Sequence, residues 1–460
     1  MQMKLHSIRR AAALGAAALV LAACDSVTDS LLEADDPDLI DPSSAASAEA
    51  ADALRVGALA RLRGIGPGGE GAWLLGGLMT DEWKSSDTFS QRNETDRRQV
   101  QDSNGNVQGM YRSLHRARNS AREALDALRE FKPTPTANLG QMYFVIGFAE
   151  MTLAENFCNG QPLSDASTGE VIYGNPMTNQ EIFTRALAHF DSALTLSSAA
   201  DAFATEVRRA AFVAKARTLV NLNRHSDAAA VVTVTNVPTH FQFLATFSLT
   251  AGENQIWALN TSAKRWTVGD SFDVSGLIRN AIPFASAKDP RIPVVGTATG
   301  TSPAGRGFDG STNFIRLEGL YGRTDPTPIV SGIDARLIEA EAKLKADDDV
   351  GMLSILNALR ASPQTLGAFT VPAMTPLAAP ANHDAAITLF FREKAFWTFA
   401  RGQRLPDLRR LIRQYGRTEA QVFPEGTFFK GGPYENDVDF PVTIDELNNP
   451  NFQSCANRNA

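Results

Sequence analysis

The chain has 460 residues with a formal net charge of −7 at pH 7, and 43% of its residues are hydrophobic. This length is enough for a large core in one elaborated domain or two. The acidic balance argues against binding to nucleic acid and against docking on a membrane through basic residues.

The first 23 residues have the three parts of a secretory signal peptide. Lys4, Arg9 and Arg10 precede an apolar run at 11–23 that ends in small side chains. The run is shorter than the roughly 20 apolar residues that a membrane-spanning helix needs. We therefore predict that residues 1–23 are a signal peptide that is removed.

Cys24 directly follows this run, in the sequence LAAC. The tetrapeptide resembles the bacterial lipobox, in which the cysteine sulfur takes a diacylglycerol, the signal is cut before it and the new amine is acylated. The resemblance implies that Cys24 is lipidated and that about three acyl chains hold the protein on a membrane. Residues 24–45, rich in Asp and Glu among Ser, Pro and Ala, are expected to form an acidic tether.

From about residue 46 the hydrophobic pattern is helical. It is clearest at 179–196, where apolar residues recur at steps of three and four after a capping-box pattern of Thr178 and Glu181. The same pattern predicts helices at 46–63, 107–131, 137–157, 202–222, 334–346, 350–361 and 384–402. Helix pairs of this length, with alanine at contact positions, indicate a mainly α, tetratricopeptide-like scaffold without a strict repeat.

Residues 236–330 differ in composition from the helical parts. Gly, Pro, Thr and aromatic residues stand there without a helical period. We predict a long irregular insertion with short strands, between an N-terminal helical part at 46–235 and a C-terminal helical part and tail at 331–460. Insertions on rigid scaffolds often carry binding residues.

Apart from Cys24, the cysteines are Cys158 and Cys455. An exported protein lies in a compartment where disulfides persist, so a bond between these two is the favoured interpretation. Two separate buried thiols are the alternative.

Motifs for catalysis, metals and cofactors are missing from the sequence. No two histidines stand at helical ligand spacing, and HExxH, CxxC, GxSxG and the Walker loop do not occur. Residues 64–69 have the glycine spacing of a dinucleotide-binding loop, but they follow an amphipathic run where that loop needs a strand. We therefore predict no metal site and no cofactor.

Charged residues are the remaining candidates for chemistry. The basic stretch at 401–417 is predicted to hold a helix with Arg409, Arg410 and Arg413 along one outer side, where pairing with neighbouring carboxylates is favoured over a phosphate site. Carboxylate pairs such as Asp81 with Glu82 and Glu339 with Glu341 are also present. A glycosidase pair is defined by a distance in the fold, which the sequence does not give, so we interpret these residues as solvated surface charges.

Seven stretches carry a family likeness. They are LAAC, LMTDEWKSSDTF at 78–89, MYRSLHRARNSAREAL at 110–125, GFAEMTLAENFCNGQPLSD at 147–165, ARLIEAEAKL at 335–344, FREKAFWTFARGQRLPDLRRL at 391–411 and FPVTIDELNNPNF at 440–452. Together they resemble the SusD/RagB family of outer-membrane nutrient-binding lipoproteins. The likeness runs over nearly the whole mature chain in the family's usual order, and the last two stretches are its most specific part.

The resemblance implies a right-handed scaffold of tetratricopeptide-like helices whose loops, on one side, bind glycans or other nutrients without catalysis. It also implies a lipid-anchored protein on the outer-membrane surface that acts as a lid over a SusC-like TonB-dependent transporter. Asp25 favours inner-membrane retention in some bacteria, but we follow the family's location. The family usually has Glu at the position of Arg401, so one buried ion pair is expected to be absent or rearranged.

Sugars present apolar C–H faces and many hydroxyls, so their sites need aromatic platforms beside planar hydrogen-bonding groups. The predicted ligand-binding residues are Trp83, Asp87, Arg92, Asn93, Trp266 and Tyr321. The first four lie in the loop region that glycan sites of the family use, and the other two lie in the insertion. Packing under long loops is the alternative for the aromatic residues.

The leading functional hypothesis is a non-catalytic surface protein that captures an oligomeric nutrient, such as a glycan, for a barrel transporter. A tetratricopeptide-like scaffold for protein partners, without a small ligand, is the second hypothesis. A glycoside hydrolase with a helical fold is the third.

Overall fold

A computed structural model describes residues 46–167 and 170–460. The predicted signal peptide, the lipidated Cys24 and the acidic tether lie outside these residues. Their assignments therefore stay predictions.

Helices dominate the described chain. In chain order they are α1 Ala48–Ile65, α2 Ala72–Met79, α3 Ser90–Arg97, α4 Gly105–Phe131, α5 Thr136–Asn156, α6 Asn179–Leu196, α7 Ala202–Asn221, α8 His225–Val231, α9 Gln255–Trp257, α10 Gly332–Lys345, α11 Asp349–Arg360, α12 His383–Trp397, α13 Arg404–Tyr415 and α14 Glu419–Val422. A π-helical turn at Ala258–Ser262 continues α9, and a 3-10 helix forms at Ile444–Asn448. The prediction of a mainly α fold is confirmed, and each long helix predicted from periodicity is present.

The strands are short. They are β1 Trp83–Ser85, β2 Gln161–Pro162, β3 Pro176–Met177, β4 Gln242–Ala245, β5 Trp266–Val268, β6 Phe272–Asp273, β7 Gly276–Leu277, β8 Val294–Val295, β9 Arg316–Leu317, β10 Thr327–Ser331, β11 Gln364–Leu366 and β12 Phe369–Val371. Within the described residues they pair antiparallel in twos: β1 with β5, β2 with β3, β4 with β10, β6 with β7, β8 with β9 and β11 with β12. The pairing of β1 with β5 joins the loop after α2 to residues far along the chain.

Successive helices from α4 to α7 pack on one another, as do α10 and α11. The capping box of Thr178 and Glu181 that starts α6 forms as the sequence predicts. At the contact of α5 with α6, a Cβ on Gly147 would lie 2.9 Å from the Phe190 ring, so the absence of a side chain permits the close approach. Helix α5 is apolar nearly all round and is buried over almost its whole length.

Helix α13 carries buried charges, which corrects the prediction of an outward row of arginines. Arg409 and Arg410 are buried, whereas Arg413 is exposed. Arg410 donates to Glu341, which is fully buried. Asp81 and Glu82 are buried too, so the prediction of solvated surface charges is wrong for all three. The predicted pairing of arginines with carboxylates of neighbouring elements does occur, but inside the protein, because α13 is covered by other helices.

Arg401 is also buried and paired. Its Nη1 lies 3.0 Å from Asp334 Oδ1, and its Nη2 lies 2.6 Å from Asp334 Oδ2. Gln403 Nε2 donates to the same Oδ1 at 3.0 Å. A buried ion pair is thus present at this position, and Arg401 supplies the positive charge.

A disulfide joins Cys158 to Cys455, with 6.0 Å between their Cα atoms. Beside it, the amide of Asn159 donates to the carbonyl of Asn457 at 3.2 Å, and the amide of Ala456 donates to the carbonyl of Asn159 at 2.8 Å. The C-terminal tail is therefore fixed to the segment that follows α5. Among the described residues, no helix is long and apolar enough to cross a membrane.

Candidate ligand-binding surface

The three aromatic residues predicted as sugar platforms are buried. Trp83 and Trp266 are 0% exposed and Tyr321 is 6% exposed. The Trp83 ring lies 5.1 Å from the ring of Phe399 and 6.4 Å from that of Trp266, measured between centroids. A ring with no exposed face cannot stack on a sugar, so the burial contradicts these three assignments.

Their burial follows from the pairing of β1 with β5. Ser85 faces Trp266 and Trp83 faces Val268 in this ladder, which covers α2. A Cβ on Gly77 of α2 would lie 2.7 Å from Trp83 Cδ1, so the indole fills the space that this glycine leaves. The hydroxyl of Tyr321 donates to the carbonyl of Phe399 at 2.7 Å. Trp83, Trp266 and Tyr321 therefore pack under the loops, which is the alternative that the sequence analysis gives for the aromatic residues.

The three polar residues of the prediction do come together. Arg92 forms an ion pair with Asp87 through Nη1, and its Nε donates to Glu70 Oε1 at 2.7 Å. Lys430 Nζ donates to the carbonyl of Asp87 at 2.7 Å and to Asn93 Oδ1 at 3.0 Å. Asp87, Arg92 and Asn93 thus lie in one polar cluster at the end of β1.

The carboxyl groups of this cluster are held in the charged form. Burial alone would raise the pKa of Asp87, but hydrogen bonds from Arg265 and Arg92 outweigh it and lower that pKa. Asp309 belongs to the same cluster, because its Oδ2 lies 2.9 Å from Lys430 Nζ. Burial likewise opposes ionisation of Asp309, yet hydrogen bonds from Thr312, Ser311 and Lys430 lower its pKa to about 2. A general acid needs a raised pKa, so neither carboxyl is suited to donate a proton.

Two exposed phenylalanines lie beside this cluster, and sequence reasoning missed both. Phe89 is 53% exposed and Phe308 is 49% exposed. The guanidinium carbon of Arg265 lies 3.8 Å from the centroid of the Phe308 ring and 5.0 Å from that of the Phe89 ring. We call Phe89, Arg265 and Phe308 the Phe-Arg-Phe stack.

Hydrogen bonds between three distant segments build the stack. The amide of Ser86 donates to the carbonyl of Arg265 at 3.0 Å, and the amide of Phe308 donates to the carbonyl of Lys264 at 2.8 Å. The amide of Asp309 donates to the carbonyl of Ser86 at 3.0 Å. A Cβ on Gly307 would lie 2.3 Å from Ser86 Cβ, so glycine is required where these segments meet.

The stack offers the chemistry that a sugar site needs. Arg265 Nη1 donates to Asp87 Oδ1 at 2.8 Å, which fixes the plane of the guanidinium. Within the described chain, Arg265 Nε and Nη2 make no hydrogen bond, so two further donor nitrogens stand between two apolar ring faces. Aromatic faces suit the C–H side of a sugar, and a planar fork of N–H groups suits its hydroxyls.

The signals for this surface were weak in the sequence. Phe89 belongs to the same stretch as Trp83 and Asp87, but a search for tryptophan platforms passes over it. Phe308 stands among glycines at 305, 307 and 310, which indicate only a loop. In residues 46–167 and 170–460, no group of three or more His, Cys, Asp or Glu side chains is placed to hold a metal ion.

Neither the protein-family models nor the curated proteins with which the sequence was compared give a match. Solved structures do. A SusD superfamily protein from Bacteroides vulgatus ATCC 8482 is 16% identical, with a TM-score of 0.63 over 89% of this chain and 98% of that one. A SusD-like protein from Bacteroides fragilis NCTC 9343 is 12% identical, with a TM-score of 0.66 over 91% of this chain and 99% of that one.

A third similar structure is a SusD-like carbohydrate binding protein from Bacteroides vulgatus ATCC 8482. It is 12% identical, with a TM-score of 0.60 over 88% of this chain and 97% of that one. These likenesses extend over nearly the full length of both partners, in agreement with the resemblance that the sequence stretches carry. The chain therefore has the fold of the SusD superfamily.

Proposed function

We propose that this protein binds an oligosaccharide nutrient on the cell surface, without cleaving it, and delivers it to a SusC-like TonB-dependent transporter of the outer membrane. The observation that carries the proposal is the Phe-Arg-Phe stack, in which a guanidinium with two unused donor nitrogens lies between two half-exposed rings. The fold it shares with a SusD-like carbohydrate binding protein supports the same function.

The charge pairing around the Phe-Arg-Phe stack favours a neutral sugar over a charged one. Asp87 balances Arg265, Arg92 lies between Asp87 and Glu70, and Lys430 lies 2.9 Å from Asp309. These three positive charges thus have carboxylate partners, and the two phenylalanine rings stay exposed beside them. Stacking on Phe89 and Phe308 would then supply most of the affinity, with hydrogen bonds from Arg265 setting the orientation.

Binding is tested with residues 24–460 carrying Cys24→Ser, by calorimetric titration with maltoheptaose, cellohexaose, laminarihexaose and xylohexaose. We expect saturable binding of at least one sugar, weakened about tenfold or more by Phe89→Ala and by Phe308→Ala. Tyr173→Ala is the matched control, because Tyr173 is also an exposed aromatic residue, at 43%, but lies near Asn451 instead of the stack.

Chromatography of each sugar after incubation tests the absence of catalysis. Shortened oligosaccharides would contradict the proposal and support the hydrolase hypothesis. Binding that Phe89→Ala and Phe308→Ala leave unchanged would place the sugar elsewhere. Failure of a wider sugar panel to bind at all would favour the scaffold hypothesis.

The membrane anchor and the transporter are further parts of the proposal. We propose that the lipid on Cys24 attaches the protein to the outer membrane and that a barrel transporter is its partner. Cys24→Ser in the full chain is expected to release the protein from the membrane fraction and to abolish incorporation of labelled palmitate. Affinity purification from detergent-solubilised outer membranes, followed by mass spectrometry, tests the partner. Recovery without any TonB-dependent transporter would contradict this part.

A further inference from the structure

A cleft of about 520 Å³ opens between α12, α13, α14 and the segment at 279–282. Its polar lining is dominated by arginine, and none of the described residues that line it is Asp or Glu. The arginines are Arg279, Arg392, Arg404 and Arg417. We call this region the basic cleft.

The floor of the basic cleft is apolar. It consists of aliphatic and aromatic side chains from all the elements around it, namely Ile282, Ile387, Phe391, Leu408, Leu411 and Val422. A cavity of this size, with an apolar floor and a few polar groups at its edge, is typical of a site for a small organic ligand.

The arginines of the cleft differ in how far they are neutralised. Arg404 is buried and held by Asp81. Arg279 and Arg417 pair with Glu425 and Asp384. Arg279 and Asp384 are largely exposed, so these two pairs contribute little free energy and exchange partners easily.

Arg392 is the arginine of this cleft without a carboxylate partner among the described residues. Its side chain is exposed, and its guanidinium carbon lies 5.3 Å from the centroid of the Phe396 ring. An unneutralised arginine beside two weakly paired ones gives the cleft a positive potential, although the chain as a whole has a formal charge of −7.

From this arrangement we infer that the basic cleft binds a small organic carboxylate with an apolar body. The carboxylate lies against Arg392 and either Arg279 or Arg417, and the apolar body covers Ile387 and Phe391. Guanidinium groups bind carboxylates in a bidentate fork, which gives both charge and direction. The site is separate from the Phe-Arg-Phe stack, since the two share no residue, and the inference does not depend on the sugar proposal.

Calorimetric titration with 4-phenylbutyrate tests this inference, using residues 24–460 with Cys24→Ser. We expect saturable binding to one site, weakened about tenfold by Arg392→Gln and weakened further as salt rises. Arg392→Gln removes an exposed side chain without an ion pair, so the fold is expected to persist, which circular dichroism checks. Arg279→Gln is a second variant with the same expectation.

Three controls separate the site from general attraction. Arg316→Gln removes a partly exposed arginine outside the cleft, paired with Glu318, and should leave binding unchanged. The neutral 4-phenylbutyramide tests the need for charge, and glucuronate tests the need for an apolar body.

Equal binding of the amide and the acid would overturn the inference. An unchanged affinity in both Arg392→Gln and Arg279→Gln would overturn it as well, and so would a lack of saturable binding at millimolar concentration. Tighter binding of glucuronate than of 4-phenylbutyrate would assign the cleft to acidic sugars and overturn the role of the apolar floor.

Discussion

Arg404 and Asp81 form a two-point buried ion pair. Arg404 Nε lies 2.6 Å from Asp81 Oδ1, and Nη2 lies 2.8 Å from Oδ2. Asp81 Oδ2 also accepts a hydrogen bond from the amide of Ile282 at 2.7 Å. One carboxylate thus connects the end of α2, the start of α13 and the loop at 279–282, each more than 100 residues from the next in the chain.

Removing one partner of this pair should destabilise the fold strongly. Arg404→Met leaves the Asp81 carboxylate buried without its counter-charge, and we expect unfolding to become easier by about 3–5 kcal/mol. The double variant Asp81→Asn with Arg404→Met removes both charges of this pair and should recover part of that loss. Urea unfolding followed by circular dichroism measures both.

Arg112→Gln is the matched control for this experiment. Arg112 pairs with Asp445 on the surface, with half of its side chain exposed, so its loss should change stability by less than about 1 kcal/mol. If Arg404→Met behaves like Arg112→Gln, the buried pair has no special role in stability.

The pair of Arg404 and Asp81 also shows why the apolar pattern of the sequence predicts the helices but does not predict which charged residues are buried. The pattern of apolar residues in a helix such as α6 is local, so a window of the sequence contains it. Whether Arg404 or Glu341 faces water depends on a partner far away in the chain, 323 positions for Arg404 and Asp81. Charged residues are usually exposed. That general tendency gave the wrong result for five residues, namely Asp81, Glu82, Glu341, Arg409 and Arg410.

The candidate surface was predicted only in part for a similar reason. Asp87, Arg92 and Asn93 are close in sequence, so their meeting in one loop was within reach of sequence reasoning. Phe308 joins them only because the loops at Ser86, Lys264 and Asp309 hydrogen-bond to one another. Trp83 and Trp266 are predicted as sugar platforms from residue type alone, and residue type does not show which aromatic rings are buried under other residues.

Substitution of Trp83 should therefore affect mainly stability, whereas substitution of Phe89 should affect mainly sugar binding. Trp83→Ala removes a fully buried indole and is expected to lower the free energy of unfolding by about 3–5 kcal/mol. Phe89→Ala removes a half-exposed ring and should change stability by only about 0.5 kcal/mol while weakening sugar binding. Thermal unfolding and calorimetric titration of both variants measure the difference. A stable Trp83→Ala variant that loses sugar binding would restore the tryptophan as the platform.

The buried cluster around Lys84 predicts a pH dependence. Lys84 pairs with Asp273, and Asp96 lies close by with the amide of Ser85 donating to it at 2.7 Å. Burial raises the pKa of Asp96 to about 7, although Lys84 and the Ser85 amide favour its charged form. The Lys84 ammonium thus lies close to two carboxyl groups, and Asp96 keeps its proton up to about pH 7.

Because the pKa of Asp96 is higher in the folded chain than its ordinary value of 3.8, folding favours the protonated form. Its contribution to stability is full below about pH 4 and is lost as pH rises through about 7. Asp96→Asn cannot ionise, so it should be more stable than the wild type at pH 8 by about 2–4 kcal/mol, with a smaller difference at pH 5. Urea unfolding at both pH values tests this. Asp126→Asn is the control, because Asp126 lies on the exposed face of α4, and its stability should follow the wild-type values at both pH values. If the difference in free energy of unfolding between Asp96→Asn and wild type is the same at pH 5 and pH 8, the titration of Asp96 is refuted.

The disulfide between Cys158 and Cys455 should make stability depend on redox conditions. The bond closes a loop with a sequence separation of 297 residues. Loop-closure entropy for so long a loop gives roughly 5 kcal/mol as an upper bound, and removal of such bonds usually lowers stability by about 2–5 kcal/mol. We therefore expect Cys158→Ala with Cys455→Ala to unfold at lower urea concentration than the oxidised wild type, with the tail after α14 protected least from hydrogen exchange.

Reductant is the control for this experiment. It should shift the urea unfolding curve of the wild type to that of the double variant and leave the double variant unchanged. Two thiols titrated in the oxidised, urea-unfolded protein, together with a wild-type curve insensitive to reductant, would show instead that the cysteines are separate.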